Sequence, residues 1–475
     1  MSQVNHRPQL RLFSFIGRTR TLHLTWFAFF IGYLVWFNHA PLLASIKVAF
    51  DLSAQEVKAL LIMNVALTIP AHIFIGILVD KFGPRIMYSS LLLITSLICF
   101  FFALADSYLI LMISRFALGL AGAGFIIGIR MIGEWFPVKQ VSAAEGIYSG
   151  LGNFGSAAAA MLLPVISLMY GDDNGWRYAI TTTGAIALIY SIIYFKLARN
   201  TSKESACFQP RITGAIEVTS RGDCYFYLLM NIPMYAALAC LAWTLGPDNL
   251  GIMNSQASRM VYTVLALSYT CHAFWILRTN RHIFKNKVPE IHKYKFKQIA
   301  ILNLAALVTF GSELAVVSML PLFFMDTFIL TQVQAGLMAS GFAFMNLVAR
   351  PGGVLFSEHF ARKRILTFFI GGLAIGYFVM SNITSEWPLM LSVAATMVCS
   401  FFVQAGESTV FAAVPMVKRR MTRQIAGMTG AYGNTGAVAF LTVFALYDAS
   451  TMFLVIAYTA VVTFLAIQFL DEPLA

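Results

Sequence analysis

The chain has 475 residues, of which 59% are hydrophobic and only 11% are charged. The length alone would suggest about three soluble domains, but so apolar a chain cannot keep most of its side chains in contact with water. The net charge of +12 does not indicate a nucleic-acid partner, because the basic residues are concentrated in alternate loops between apolar runs, as in membrane proteins.

Apolar runs recur along the whole chain, and each is long enough to cross a hydrocarbon core of roughly 30 Å as a helix. The first six lie near 22–48, 58–80, 86–106, 108–134, 141–168 and 176–196. Two further runs lie near 225–244 and 260–278. The last six lie near 299–325, 334–356, 365–383, 387–414, 424–446 and 450–470.

This order of six, two and six runs predicts an all-α polytopic membrane protein with about 14 transmembrane helices. Residues 1–200 would form one six-helix lobe and residues 299–475 a second. Residues 201–298 would form a linker that carries two accessory transmembrane helices. The polar parts of this linker are too short to make an independent catalytic domain.

The loops alternate in charge along the chain. Basic residues follow every second run, namely Lys81, Arg85, Lys196, Arg199, Arg278, Arg281, Arg362, Lys363, Arg364, Lys418, Arg419 and Arg420. Because basic loops stay on the cytoplasmic side, we expect both termini in the cytoplasm and the chain in the inner (cytoplasmic) membrane. The first run is too long for a signal peptide, so we expect it to remain as a helix.

Several features occur once in each half of the chain, with nearly the same length of chain between the copies. The element Gly152-Asn153-Phe154-Gly155 recurs in the second half as Gly433-Asn434-Thr435-Gly436. His72 stands eight residues before Asp80, and Arg350 likewise stands eight residues before Glu358. Two copies of one membrane unit, each with polar groups inside apolar sequence, predict a two-lobed transporter with its substrate site between the lobes.

The loop after the second run reads Gly76-Ile77-Leu78-Val79-Asp80-Lys81-Phe82-Gly83-Pro84-Arg85. It resembles the G-x-L-x-D-[RK]-x-G-x-[RK] loop of the major facilitator superfamily. In that family the glycines let helices pack closely, and the acid and bases form a charge latch between helices. The resemblance implies such a latch for Asp80 and Arg85, with Glu358 as the acid of a degenerate second copy.

The Gly-Asn elements and the glycine-rich fourth run have two alternative interpretations, a substrate site and close helix packing. An asparagine in mid-membrane is costly unless its amide has a partner, and glycine exposes backbone N–H groups that could hold a small planar ion. The residues concerned are Gly152, Asn153, Gly155, Gly433, Asn434 and Gly436. Small residues also permit close packing of helices without any ligand, which is the alternative, especially for Gly119, Gly122 and Gly124 of the fourth run.

These elements, with Trp36-Phe37, Ala40-Pro41-Leu42 and the segment from Asn346 to Gly353, resemble the nitrate/nitrite porter family of the superfamily. The match is best to its subgroup with two additional central helices. The resemblance covers nearly the whole chain. It implies two six-helix lobes that move nitrate or nitrite by proton symport or by nitrate/nitrite exchange.

Arg350 matches the second-half arginine that binds the anion in that family, and a planar guanidinium suits a planar oxyanion. The alternative is that Arg350 pairs with a nearby acid and only holds helices together. His72 stands where the family has its other arginine, and Ala306 where its substrate-contacting tyrosine is expected. His72 could be a titratable cation that couples binding to pH, the mark of a changed substrate, or a packing residue.

Four further side chains lie at informative positions. Glu313 and Glu407 are carboxylates inside apolar runs, so each would handle a proton or form an ion pair, Glu313 with Arg130 or Arg350. Phe125 and Phe310 could sandwich a planar ion, although most aromatics in such a chain serve packing.

The sequence has no GxSxG, HExxH or Walker loop, and its glycine-rich run follows no strand, so we do not predict an enzyme or a nucleotide site. We predict a secondary transporter of a small anion, nitrate or nitrite, without cofactor or metal. Its partners would be the anion, protons and the lipid bilayer, not nucleic acid, and it would act as a monomer. The alternatives are a porter of another small solute and a transport-like sensor.

Overall fold

The computed structural model describes residues 12, 14–171, 174–201, 215–285, 294–418 and 421–471, without the side chains of residues 138, 139, 358 and 423. Within these ranges all regular structure is helical, which confirms the all-α class. Twelve of the described helical segments are long and apolar enough to cross a membrane. Two more runs, near 334–356 and 424–446, are helical but are not among these twelve, so the count of 14 remains a prediction.

The described residues of the first half form nine α-helices. They are α1 (Gly17–Trp36), α2 (Leu43–Ala49), α3 (Ala54–Ala66), α4 (Thr68–Phe82), α5 (Pro84–Ala103), α6 (Tyr108–Leu118), α7 (Gly124–Trp135), α8 (Val138–Met169) and α9 (Gly175–Leu197). The glycine-rich stretch Gly119–Ala123 between α6 and α7 is a 3₁₀ helix.

Three helices follow in the middle: α10 (Arg221–Thr244), α11 (Ser255–Thr279) and the short α12 (His282–Lys285). The second half then forms α13 (Lys297–Val308), α14 (Phe310–Phe328), α15 (Gln332–Phe344), α16 (Asn346–His359), α17 (Arg362–Met380), α18 (Leu389–Val417), α19 (Thr422–Leu446) and α20 (Ala449–Ile467).

The two halves share helix starts and helix breaks at equivalent positions of the repeat. Ser53 caps α3 and Thr331 caps α15, each in a capping box with the side chain three residues later. The run that begins at Ser53 breaks at Leu67, and the run that begins at Thr331 breaks at Met345. His72 and Arg350 therefore each lie about one turn beyond a break in their helix.

The halves meet along two seams that repeat one another. At one seam α8 of the first half packs against α15 and α16, and at the other α19 of the second half packs against α3 and α4. Close approach depends on glycine: a Cβ on Gly150 would lie 2.9 Å from the backbone oxygen of Asn346, and one on Gly430 would lie 2.9 Å from the His72 ring. Small residues thus bring His72 and Arg350 to the two seams.

One end of the seams is closed by contacts between the halves. Ser45 donates a hydrogen bond to Gln332 at 2.7 Å, and the Lys58 ammonium donates to the backbone oxygen of Tyr447 at 3.0 Å. Only about 10 Å³ of free space remains between the segments that contain Pro41 and Pro321. The larger cavities open toward the opposite end, where Asp80, Arg130 and Gln424 lie.

Helices α10 and α11 form an antiparallel pair, which we call the accessory hairpin. Its α10 packs on α19 of the second half, and the Tyr432 hydroxyl donates to the backbone oxygen of Met230. The Phe226 ring meets the ring of Phe296, just before α13, edge-on, and the Tyr227 ring is tilted against it. In the most apolar stretch of α11 only 6% of the residues are buried. Helix α11 therefore faces mostly outward and is held through α10.

Candidate functional site

The densest group of buried charges surrounds Arg350 at the α8–α16 seam. The Arg350 Nη2 lies 2.6 Å from Glu313 Oε2 and 2.5 Å from Glu407 Oε2, and its Nε donates to Asn346 Oδ1 at 2.5 Å. Arg350, Glu313 and Glu407 are each at most 1% exposed. Of the alternatives open for Glu313, the structure shows an ion pair with Arg350, whereas Arg130 pairs with Glu134 and Asp80.

Local backbone geometry explains how these groups converge. Helix α14 restarts at Phe310 after Thr309, which places Glu313 in its first turn, where the free N–H groups favour a carboxylate. The break at Met345 leaves Asn346 at the start of α16, so that its amide donates to both Glu313 and the Ala343 backbone oxygen at 3.0 Å. Breaks in two helices therefore turn polar atoms toward one guanidinium.

The first half adds two residues to this group. The Asn153 amide of α8 can take two orientations: in one its nitrogen donates to Glu313 Oε1 at 3.3 Å, and in the other its oxygen accepts from Arg350 Nε at 3.1 Å. Tyr33 of α1 is 2% exposed and lies near enough to interact electrostatically with Arg350, Glu313 and Glu407. Both halves thus contribute to one polar group, which we call the Arg350 cluster: Tyr33, Asn153, Glu313, Asn346, Arg350 and Glu407.

The Arg350 cluster holds more acid than base. Two carboxylates contact one guanidinium nitrogen, so with both ionised the cluster carries one net negative charge inside the membrane. Like charges at this distance in a low dielectric oppose each other strongly. The arrangement is therefore suited to hold a proton shared between Glu313 and Glu407.

Sequence reasoning did not find Asn346 or Tyr33 as members of the cluster. Asn346 was visible as a polar residue one turn before Arg350 on the same helical face. Tyr33 gives no such indication, because tyrosines are common in membrane helices and only the packing of α1 on α8 brings it to the site. Ala306, where the family's tyrosine was expected, is fully buried in α13.

Phe125 separates two spaces. The smaller space, of about 20 Å³, is lined by Arg350, Glu145, Ser149 and Ser408. The larger, of about 130 Å³, is lined by His72 and by Asn231, Met234 and His272 of the accessory hairpin. Phe125 lines both, and its ring centroid lies 6.0 Å from that of Phe310 and 4.9 Å from that of Phe411.

His72 lies at the other seam, outside the Arg350 cluster. Its Nδ1 is 2.9 Å from the Thr68 backbone oxygen, an acceptor, so Nδ1 carries the hydrogen. Its Nε2 is buried and has no hydrogen-bond partner in the described part of the chain. No carboxylate pairs with His72 among those residues.

The glycines of the two Gly-Asn elements are covered by neighbouring helices in this state. A Cβ on Gly152 would overlap the Phe29 ring, and one on Gly433 would overlap the Phe310 ring. Phe29 and Phe310 are separated by the same length of chain as Gly152 and Gly433, so the repeat extends to the residues that the glycines accommodate. Asn434 donates to the Gly430 backbone oxygen at 2.9 Å and does not reach the Arg350 cluster.

Comparison with known proteins identifies the family. A family model described as Major Facilitator Superfamily matches residues 25–276. The nitrate/nitrite transporter NrtP of Picosynechococcus sp. is 41% identical, covering 97% of this chain and 94% of that protein. The NrtP of Nostoc punctiforme is 40% identical, covering 98% and 94%. The chain belongs to the nitrate/nitrite porter family of the major facilitator superfamily.

Solved structures agree with this family at the level of the fold. The D-xylose-proton symporter matches with a TM-score of 0.63 and 14% sequence identity, covering 96% of this chain and 98% of that one. By its family and its relatives, this chain is a membrane transporter and not an enzyme.

The loop typical of the superfamily lies at the open end. Arg130 Nε is 2.7 Å from Glu134 and 3.9 Å from Asp80. Arg85 donates to the backbone oxygen of Phe195, at the end of α9, at 2.7 Å. These contacts tie α4 to α7 and α5 to α9 within the first half. The side chain of Glu358, the expected second acid, lies outside the described residues.

A second buried arginine escaped the sequence reasoning. Arg115 of α6 is 0% exposed, and its guanidinium donates to Asn38 Oδ1 at 2.8 Å, to the Trp36 backbone oxygen at 2.7 Å and to Asn64 Oδ1. Its partners are neutral oxygens, and no described carboxylate pairs with it. His39 is also fully buried, and neither of its ring nitrogens has a described hydrogen-bond partner.

Proposed function

We propose that this porter moves nitrate, or nitrite, across the cytoplasmic membrane as a secondary active transporter with both termini in the cytoplasm. The observation that carries the proposal is the 41% identity, over 97% of the chain, with a protein named for nitrate/nitrite transport. A buried arginine at the seam between two repeated halves, with an amide from the opposite half beside it, is the chemistry that a planar oxyanion needs.

In this proposal the lobes of residues 1–200 and 299–475 rock about the two seams and expose the Arg350 cluster to each side in turn. The present state supports such motion: one end is closed by Ser45–Gln332 and Lys58–Tyr447 contacts, whereas cavities open at the other. The 20 Å³ beside Arg350 is space for about one water molecule, so an anion enters only after the lobes separate.

Anion binding at Arg350 must compete with Glu313 and Glu407. With both carboxylates ionised, the cluster would repel an anion. One proton makes the cluster neutral, and a second proton makes the complex with a monovalent anion neutral. We therefore propose that nitrate binds together with protons held on Glu313 and Glu407, which makes the porter a proton symporter by charge balance.

Other residues complete the proposed site. Asn153 would donate its amide to the anion when Glu313 is protonated, and Phe125 and Phe310 would limit the site above and below. We retain Asn434 and the glycines 152, 155, 433 and 436 as elements that allow helices to slide closely during rocking. Asp80, Arg85 and Glu358 would form the latch that holds the state open toward the cytoplasm. The porter would act as a monomer.

His72 is the observation that favours a second candidate, a porter of another small solute. It stands in place of an arginine, it has no carboxylate partner among the described residues, and Ala306 supplies no hydroxyl. A single cationic ligand would bind a monovalent anion more weakly than two would. In the first proposal, His72 takes up a proton when the anion enters and so acts as the second cation.

Uptake of nitrate by the purified porter in liposomes tests both candidates. It would be measured at about pH 5.5 and about pH 7.5, either side of the usual histidine pKa of about 6.5, for the wild type and for His72→Arg. Uptake that rises at the lower pH, with a smaller rise in His72→Arg, supports nitrate symport with a histidine switch. No nitrate or nitrite uptake by the wild type, with activity gained in His72→Arg, would instead establish a changed substrate.

A further inference from the structure

Glu145 is a carboxylate within the membrane-spanning part of α8 that the proposed site does not use. It lies inside the candidate span Gln140–Met169, about two turns from the start of α8 and about 12 Å along the helix from Asn153. Among the described residues its side chain has no ion pair and no hydrogen-bond partner. An unpaired carboxylate at such a position indicates a functional group, because burial of its charge is costly.

The surroundings of Glu145 connect it to the Arg350 cluster. It lines the 20 Å³ space together with Arg350, Ser149 and Ser408, and that volume is enough for about one water molecule. Ser408 Oγ is buried and has no hydrogen-bond partner in the described structure. Glu407 Oε1, on the residue before Ser408, is also buried without a partner there.

Few other charges face this space. Arg350 approaches from α16, and Glu407 lies behind Ser408 on α18. From α7 the space receives the apolar Phe125 and Ile129, because the guanidinium of Arg130 is turned to Asp80 and Glu134. Glu145 therefore sits near one cation that two other acids already neutralise, and nothing fixes it in the ionised form.

We propose that Glu145 is the proton acceptor through which the Arg350 cluster exchanges protons with the cytoplasm. The inference rests on the proposed symport of nitrate. When the lobes open to the cytoplasm, the carboxylic acid of Glu407 gives its proton from Oε1 to the Ser408 hydroxyl or to a water beside it. That group passes a proton to the Glu145 carboxylate, which later releases it to bulk water.

The chemistry of each group suits its place in this route. A serine hydroxyl and a water molecule both accept and donate hydrogen bonds, so each can pass on a proton while keeping none. Loss of the proton from Glu407 restores its ion pair with Arg350, which expels the anion from that guanidinium. Glu145 thus makes release of proton and anion toward the cytoplasm one event.

The test separates proton movement from anion movement in liposomes. Wild type, Glu145→Gln, Glu145→Asp and Glu386→Gln would be compared; Glu386 is an exposed loop carboxylate and serves as the matched control. Two quantities would be measured: nitrate accumulation driven by a pH gradient with the accompanying proton flux, and nitrate/nitrite counterflow without a gradient. Counterflow also reports that each variant is folded.

Glu145→Gln is expected to lose about a hundredfold or more in gradient-driven accumulation and proton flux, because a positioned proton-transfer group contributes at least about that much. Counterflow should stay within about twofold, Glu145→Asp should recover part of the accumulation, and Glu386→Gln should match the wild type. Unchanged accumulation in Glu145→Gln overturns the inference, as does loss of accumulation and counterflow in equal measure.

The wild type distinguishes this inference from the function on which it rests. Nitrate transport without any proton flux would overturn the role of Glu145 and leave nitrate as the substrate. Absence of both nitrate and nitrite transport would overturn the proposed function itself, and the role of Glu145 with it.

Discussion

The seams that hold Arg350 and His72 have equivalent helix starts and breaks but different polar side chains. Each residue follows a capping box and a helix break at the same spacing, and each faces a helix with a Gly-Asn element. At one seam a guanidinium is surrounded by Glu313, Glu407 and two amides. At the other, a single imidazole donates to one backbone oxygen, and its Nε2 has no described hydrogen-bond partner.

The difference follows from what each side chain requires in a low dielectric. A buried guanidinium needs acceptors for its five N–H groups, and at Arg350 acids from α14 and α18 supply two of them. A neutral imidazole needs one acceptor and one donor at most. The repeat therefore preserves the positions of helices, while the buried ion pairs of the described residues lie at the Arg350 seam.

Removal of Arg350 should have the largest effect. Arg350→Ala leaves Glu313 and Glu407 buried without a cation, so we expect a loss of about 3–5 kcal/mol in stability and no transport. Adding Glu313→Gln and Glu407→Gln should recover most of the thermal stability in detergent and none of the uptake. A triple variant as unstable as Arg350→Ala would show that the cluster is held by packing and not by charge.

Alanine substitution of Gly152 and Gly433 tests whether the two seams pack their glycines in the same way. Gly152→Ala and Gly433→Ala would each force a Cβ into a phenylalanine ring, Phe29 or Phe310, so each should cost about 1–3 kcal/mol. Gly133→Ala and Gly427→Ala, also inside helices but with nothing within 4 Å of the added atom, should be neutral or stabilising. Unequal costs at residues 152 and 433 would mean that the repeat in packing is only approximate.

Substitution of His72 tests where the seams differ. His72→Gln removes one hydrogen bond to the Thr68 backbone, so it should cost about 1 kcal/mol, well below the cost of Arg350→Ala. Differential scanning fluorimetry of both variants would give the ratio. A loss at His72 as large as at Arg350 would indicate that His72 is charged in the resting protein.

Removal of the helix caps should have the smallest effect on stability. Ser53→Ala and Thr331→Ala each remove one N-cap at equivalent helix starts, and each should lower stability by about 1 kcal/mol. Ser107→Ala is the control, because Ser107 precedes α6 without a side-chain cap bond. A clear difference between the two capping variants would show that one helix start is held by tertiary contacts instead.

The sequence predicted those features of the fold and site that depend only on the order of residues along the chain. Runs of apolar residues predicted the helices, including the accessory hairpin, and the regular spacing of the duplicated elements predicted the repeated seams. The positions of Arg350 and Glu313 inside apolar runs made their ion pair one of the expected alternatives, beside a pair with Arg130 and a proton-handling role. By the same reasoning Arg115 and Glu145 could have been found, since each is a charge inside an apolar run.

The remaining features of the site depend on which helices pack against each other, and the sequence does not give this. Nothing local distinguishes Tyr33, which lies by the Arg350 cluster, from Tyr88, which bonds Tyr148 within the first half. Nor could spacing tell that Asn153 reaches Arg350 whereas Asn434 bonds its own helix. The two Gly-Asn elements are alike in sequence, and only the charge of the facing residue makes them differ.

Because the accessory hairpin is attached to one half, the bilayer contacts more hydrophobic surface on that half than on the other. Because α10 docks on α19 and α11 is almost entirely exposed, the hairpin widens the lipid-facing perimeter of the second half alone. A change in bilayer thickness acts on each helix in proportion to its exposed hydrophobic length. Lipid composition should therefore bias the rocking equilibrium of this porter more strongly than that of a relative without the hairpin, and acyl-chain length becomes a variable of its transport rate.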